Sequence, residues 1–275
     1  MLGKLIKNEW KSTWKVPTAV CVYLFILTLI ECTSFFSPLW KIDNEVVGVL
    51  AGFSMVLYIL SLFGISIACF IYFVVRFYRN MYTDEGYLMH TLPVRPWQHI
   101  VSKGLVYFIW SIISVVTVMF SIFALVFSGL YAFSSPIEFS TIQELIRQGF
   151  AMLPELYTQA TGMNFGLSVF MFILAAIIQL ITGILMIYAS ISIGQTFNKH
   201  KVMASFIAYI CISMAVQLVT SLISIPTMML QVNEASPFQE IFTPTFLIGV
   251  ILNVLCAVAF YFITEYTMRK KLNVD

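Results

Sequence analysis

The sequence predicts an all-α integral membrane protein: six transmembrane helices, an N-terminal amphipathic interfacial helix, and a cytosolic coupling helix between helices 2 and 3. Three observations lead there. Hydrophobic residues make up 60% of the 275-residue chain and charged residues only 10%, whereas a soluble domain carries about 25%. Six apolar runs reach the roughly 20 residues that a helix needs to cross a ~30 Å hydrocarbon core. The Lys and Arg residues between those runs fall almost entirely on one side. No linker or short repeat divides the chain, so 1–275 reads as a single transmembrane domain.

The first element is the segment 1–15. Leu2, Leu5, Ile6 and Trp10 share one side of a helical wheel, and Lys4, Lys7, Lys11 and Lys15 share the other. That pattern suits a helix in the headgroup plane, with Lys4, Lys7 and Lys11 toward phosphates and Trp10 and Trp14 at the boundary. A plain basic flank that only fixes orientation is the alternative. The apolar run that follows is long enough to span, and no small-x-small site closes it. A cleaved signal peptide is not expected.

The spans follow in order. The first covers 17–36, with Pro17 suited to a first helical turn and Pro38 as its stop. The second, 46–75, is long enough to tilt or to project into the cytosol. The third, fourth and fifth cover 104–133, 166–197 and 202–231. The sixth covers 243–268, with Thr243 as the expected N-cap and Pro244 at the first helical position.

Orientation follows from the connections. With the N-terminus inside, the cytosolic pieces hold thirteen of the fifteen Lys and Arg, leaving only Lys41 and Arg147 outside. The outer pieces carry Asp43, Glu45, Glu138, Glu144, Glu155, Glu234 and Glu240 instead. The expectation is a multi-pass protein of the cell (plasma) membrane with both termini cytoplasmic.

The longest outer connection is 134–165. Ser140 suits an N-cap with Gln143 in the capping-box position, and Ile142, Leu145, Ile146, Gly149 and Phe150 then share one face. A second short helix is expected after Pro154. Two readings stay open: a helix resting on the outer leaflet, and a lid over a transport pathway.

Residue chemistry excludes more than it assigns. His90, His99 and His200 lie in cytosolic segments, outside any HExxH pattern, and His90 and His99 read as solvated loop histidines. No GxSxG precedes a plausible base, no aspartate lies in a span, and no third ligand completes a metal site. The chain is therefore not expected to be an enzyme or to bind a metal. A GxxxxGK[ST] loop is also missing, so ATP cannot be held by that route. Cys21, Cys32, Cys69, Cys211 and Cys256 read as small hydrophobes within apolar runs. The mid-span polar residues are Gln179, Gln217 and Asn253, which either hydrogen-bond between helices or line a polar path. Glu31 falls in the outer part of its span, and Glu265 is spaced to pair with Arg269.

The remaining segment, 76–103, is rich in charge between two apolar runs. It holds Arg76, Arg79, Arg95 and Lys103, with Asp84 and Glu85 adjacent. A charge at the bilayer centre costs roughly 2.5–3.5 kcal/mol even on lenient scales, so this segment belongs in the cytosol. Thr83 suits the N-cap of a helix starting at Asp84-Glu85, whose carboxylates complement its positive end. Pro93 ends that helix, and Pro96 restarts one that leads into the third span.

Glu85-Gly86, Leu88, Leu92-Pro93-Val94, Ile100 and Lys103 resemble the signature that permeases of type-2 ABC transporters carry between their second and third spans. The resemblance covers about twenty residues, with the six-span topology and amphipathic N-terminus as context. Arg95-Pro96 stands where that family often has Ser-Arg. The resemblance implies that Asp84, Glu85, Gly86, Tyr87, Leu88, Leu92 and Pro93 form the contact with a separate ATP-binding cassette subunit. It also implies a second permease copy or paralogue, ATP and Mg²⁺ on the ATPase partner, and an amphipathic substrate such as a peptide, lipid or drug. Membrane lipid is the remaining partner, and no nucleic acid is expected. The alternative reading is a non-transporting sensor, receptor or immunity subunit that binds its ligand through 134–165.

Overall fold

A computed structural model describes residues 2–36, 45–83, 94–133, 136–161, 163–197, 199–232 and 238–270. They are helical throughout: α1 Leu2–Thr13, α2 Lys15–Phe36, α3 Glu45–Tyr82, α4 Pro96–Phe133, α5 Pro136–Thr161, α6 Phe165–Gly194, α7 Lys201–Val232 and α8 Phe238–Lys270. Among the described residues six stretches are long and apolar enough to cross a membrane: Lys15–Phe35, Gly48–Tyr82, Pro96–Tyr131, Phe165–Gly194, Lys201–Ile223 and Thr245–Arg269. Their outward side chains are apolar as well. Phe25, Leu29, Phe63, Phe123, Phe170 and Leu222 are all at least half exposed, a surface that suits lipid rather than water.

Two boundaries differ from expectation. The sixth spanning helix begins at Phe238, and Thr243 and Pro244 lie inside it rather than capping it. Phe238, Ile241 and Phe242 prolong the apolar pattern outward, and a proline in the second turn removes only one backbone hydrogen bond. The outer connection is one helix, α5, running through Pro154. Ser140 therefore lies inside the helix, in its second turn, rather than at its start. The Thr158 hydroxyl donates to the Pro154 carbonyl at 2.5 Å, one turn beyond the proline.

The chain gathers into two compact units. The first comprises Met1–Arg76 and Leu105–Arg147. Here α1 runs almost without interruption into α2, with Trp14 N donating to Trp10 O and Thr18 N to Trp14 O, each at 3.1 Å. The inner face of α1 is Ile6, Glu9, Trp10 and Thr13, at helical spacing. Ile6 and Trp10 pack against Phe73, Val106 and Trp110, with Trp10 stacked on Trp110 at 5.1 Å between ring centroids. Glu9 is buried on this same face and accepts from Arg76 Nε at 3.1 Å. Arg76 also donates to Ser12 Oγ at 2.7 Å. Farther along, Thr28 and Ser121 share a hydrogen bond of 2.5 Å, and Tyr58 bonds the same serine.

The second unit comprises Phe77–Gly104 and Gln148–Asp275. Helices α6, α7 and α8 pack on one another. The Thr182 hydroxyl donates to the Asn253 carbonyl across α6 and α8 at 3.1 Å, and Phe172 meets Phe246 at 5.1 Å. The α6–α7 hairpin is the tightest point. A β-carbon on Gly194 would lie 2.5 Å from both N and Cα of Ser205, closer than any side chain tolerates against backbone. His200 enters α7 with φ of 55°, a left-handed conformation uncommon for a residue with a side chain.

Gly194→Ala is expected to lower stability by roughly 1–3 kcal/mol, the usual cost of overpacking. Gly183→Ala in the same helix, where nothing lies within 4 Å, should be neutral or mildly stabilising because alanine favours helix. Thermal unfolding of the two detergent-solubilised variants checks this; equal melting temperatures would contradict it.

Candidate functional site

The helix expected at 84–92 and all its named residues, Asp84, Glu85, Gly86, Tyr87, Leu88, Leu92 and Pro93, lie outside the described residues. What the structure describes is the pair of helix ends on either side. On the near side, α3 continues seven residues past the expected end of its span, to Tyr82. Its last turns are buried: Phe77, Asn80, Met81 and Tyr82 are all within the interior, Met81 completely. Thr83 turns its hydroxyl back onto the Arg79 carbonyl at 2.6 Å, closing the end of α3. On the far side, Gln98 N donates to Arg95 O at 2.9 Å as α4 begins. His99, Ile100, Ser102 and Lys103 are then buried within its first two turns.

Both ends rest on the same stretch of α6. The Phe77 and Tyr188 rings lie face to face, 3.6 Å apart and 7° from parallel. The Tyr82 hydroxyl bonds Ser192 Oγ at 2.6 Å, one turn farther along α6. From the other side, a β-carbon on Gly104 would lie 3.7 Å from the Tyr188 ring and 4.0 Å from Ile184, so the start of α4 runs beside that ring. One aromatic side chain thus touches the end of α3 and the beginning of α4. Aromatic pairs of this kind add about 0.5–1.5 kcal/mol beyond the area they bury.

His99 corrects an expectation. It is almost fully buried inside α4 rather than solvated in a loop, because Pro96 starts the helix three residues before it. Its backbone carbonyl accepts from Ser102 Oγ at 3.1 Å. The expected Glu265–Arg269 pair is also not formed among the described residues, where the ion pair is Glu9 with Arg76. A solvated i,i+4 pair is worth only about 0.3–0.5 kcal/mol, too little to hold two long side chains.

The other sequence-selected residues scatter. Lys4, Lys7 and Lys11 are exposed on one side of α1, as is Trp14, while Trp10 turns inward onto Trp110. Gln179 and Gln217 are exposed in this chain. Asn253 Nδ2 donates to Gly249 O in its own helix at 2.9 Å, so its side chain reaches neither glutamine. No hydrogen bond joins these three among the described residues.

The polar side chains that do meet are hydroxyls, which the sequence reading passed over. In the first unit these are Thr28, Tyr58 and Ser121, with Ser54 Oγ 3.5 Å from the Glu31 carboxylate one turn away. A cavity of about 280 Å³ also opens between α3 and α4, lined by Ser66, Cys69, Phe73, Tyr107, Ser111 and Ser114 among others. Their signal was available as serines at 114, 121 and 128, a seven-residue spacing that keeps one face of a packed helix. Glu9 was equally visible as a lone carboxylate centred on the apolar side of α1.

Among the described residues no group of three or more His, Cys, Asp or Glu could hold a metal ion, and all five cysteines are free thiols. Comparison with family models, with curated proteins and with solved structures finds no match to this chain.

Tyr188→Ala should remove the surface on which both helix ends rest and cost about 3–5 kcal/mol, as for other large buried aromatics. Tyr82→Phe, which deletes one buried hydrogen bond, should cost only about 1 kcal/mol. Chemical unfolding of both variants tests the ranking; a Tyr188→Ala loss no larger than that of Tyr82→Phe would sink the shared-support assignment.

Proposed function

We propose that this chain is the membrane-spanning permease subunit of an ATP-driven exporter of amphipathic molecules. It works with a separate ATP-binding cassette subunit and with a second permease copy or paralogue. Thirteen of fifteen basic side chains favour an arrangement with both termini and residues 76–103 in the cytosol, since Lys and Arg are retained on that side. In this orientation α1 presents Lys4, Lys7 and Lys11 to the anionic inner leaflet.

The observation that carries the reading is the common support of α3 and α4 on Tyr188, with Ser192 also holding the end of α3. Residues 84–93 are short, charged at Asp84 and Glu85, and joined at both ends to buried helical turns. In this reading a force applied to the segment passes into the two membrane helices that flank it and into α6. Closure of an ATPase pair against Asp84–Glu85–Gly86 and Leu88 would therefore tilt α3 and α4 together and switch access between the two faces. ATP and Mg²⁺ belong to the partner; this chain contributes the lever and part of the path. The cavity between α3 and α4, mostly apolar with Ser66, Ser111 and Ser114 in its wall, is a better part of that path than Gln179, Gln217 and Asn253, which do not converge.

The test is coupling. With a co-expressed ATPase, the Asp84→Lys/Glu85→Lys double variant should reduce permease-dependent ATP hydrolysis at least ~10-fold, equivalent to about 1.4 kcal/mol of lost coupling. Membrane insertion and yield should be unchanged. Full coupling in the double variant would reject the lever. ATP-independent ligand binding to 134–165 would favour the sensor reading instead.

A further inference from the structure

Helix α5 has an apolar side that is exposed among the described residues. Leu145, Ile146, Gly149, Phe150, Leu153 and Leu156 fall within an arc of about 140° at 3.6 residues per turn. The five with side chains beyond hydrogen are each 43–67% exposed, and the space beside Gly149 is open. The opposite arc holds Gln143, Glu144, Arg147, Gln148 and Glu155, all exposed except where Pro154 interrupts. Toward its C-terminal end, Tyr157 packs against Phe165 at 5.7 Å.

We propose that α5 lies along the membrane surface with this apolar arc immersed in the acyl boundary of the leaflet opposite the basic helix α1. Chain connectivity supplies the first argument. Twenty-six helical residues make a rod of about 39 Å, whose ends join two membrane helices through residues 134–135 and 162–164. Two or three residues reach at most about 7–11 Å. Both ends of the rod are therefore held near the boundary, and it cannot stand out into water along its length. Composition supplies the second argument. An amphipathic helix held at this depth gains from every apolar side chain it immerses. Charge selects the leaflet. The exposed face of α1 carries Lys4, Lys7 and Lys11, suited to anionic headgroups, whereas α5 carries one arginine against Glu138, Glu144 and Glu155. Its attachment is hydrophobic and gains nothing from anionic lipid. The inference rests on the membrane character of the chain and not on the exporter reading.

The experiment uses the full chain in vesicles, with its five cysteines replaced and single cysteines placed by Leu145→Cys, Phe150→Cys, Glu144→Cys or Gln148→Cys. Each is labelled with an environment-sensitive fluorophore and quenched from lipid by nitroxide acyl chains or from water by iodide. Lipid quenching should be several-fold stronger at 145 and 150 than at 144 and 148, with iodide giving the reverse. The ratio should be the same in phosphatidylcholine with or without phosphatidylglycerol. Equal iodide access on both arcs would overturn the proposal, and so would shielding of 145 and 150 from both quenchers, which would mean a protein cover. If the cysteine-free chain fails to fold, hydroxyl-radical labelling of the unmodified protein in nanodiscs reads the same contrast. Protection of Leu145, Phe150, Leu153 and Leu156 supports lipid contact, and their loss of protection in lipid contradicts it.

Discussion

The stacking of Phe77 on Tyr188 is the contact on which the rest depends. Six long apolar helices can be arranged in a membrane in many ways, because lipid tails compete with side chains for apolar surface and supply no hydrophobic drive between helices. Specific geometry then has to come from close packing and hydrogen bonds. Beside the packing of α6, α7 and α8 on one another, such contacts also join the end of α3 and the beginning of α4 to α6. A charged segment that cannot enter lipid is thereby joined to a stiff part of the protein. In the proposed reading, that combination is where a partner ATPase would deliver force.

The first unit shows the same economy at α1. Glu9 sits on the face that packs inward, where an unpaired carboxylate would be costly. Arg76, near the end of α3, supplies the partner at 3.1 Å and reaches Ser12 as well. The amphipathic helix is thus held by a charge as well as by Trp10 stacked on Trp110. Trp10, which the wheel alone places at the headgroups, faces protein because it lies at the edge of the apolar arc that also contains Glu9.

What could be read in the sequence followed from length and period. The apolar stretches of α2, α3, α4, α6 and α7 were visible because about 20 residues of one character are hard to mistake. Helix ends were less legible. Pro154 and Pro244 look like boundaries in a sequence, yet each removes a single hydrogen bond, and a helix with apolar residues on both sides runs through. The expected site itself lies outside the described residues, and the support of the helix ends beside it was not legible. Asp84–Pro93 stood out by charge, while Phe77, Met81, Tyr188 and Ser192 have no signature that separates them from other apolar or small residues in a span. Partners were hardest of all: the carboxamides Gln179, Gln217 and Asn253 looked like the bundle's polar glue, but hydroxyls on Thr28, Tyr58 and Ser121 meet instead. A hydroxyl is small enough to bond without forcing helices apart, whereas glutamine needs room that close-packed helices lack.

The most direct measurement is site-specific cross-linking from position 88 in native-like membranes that contain the ATPase partner. A photoreactive residue placed by substitution of Leu88 should cross-link to the ATPase from the cytosolic side, with a yield that changes between nucleotide-free and ATP-bound states. A residue that labels only from the opposite face of the membrane, or that never reaches the ATPase in a complex shown to be assembled, would contradict the account.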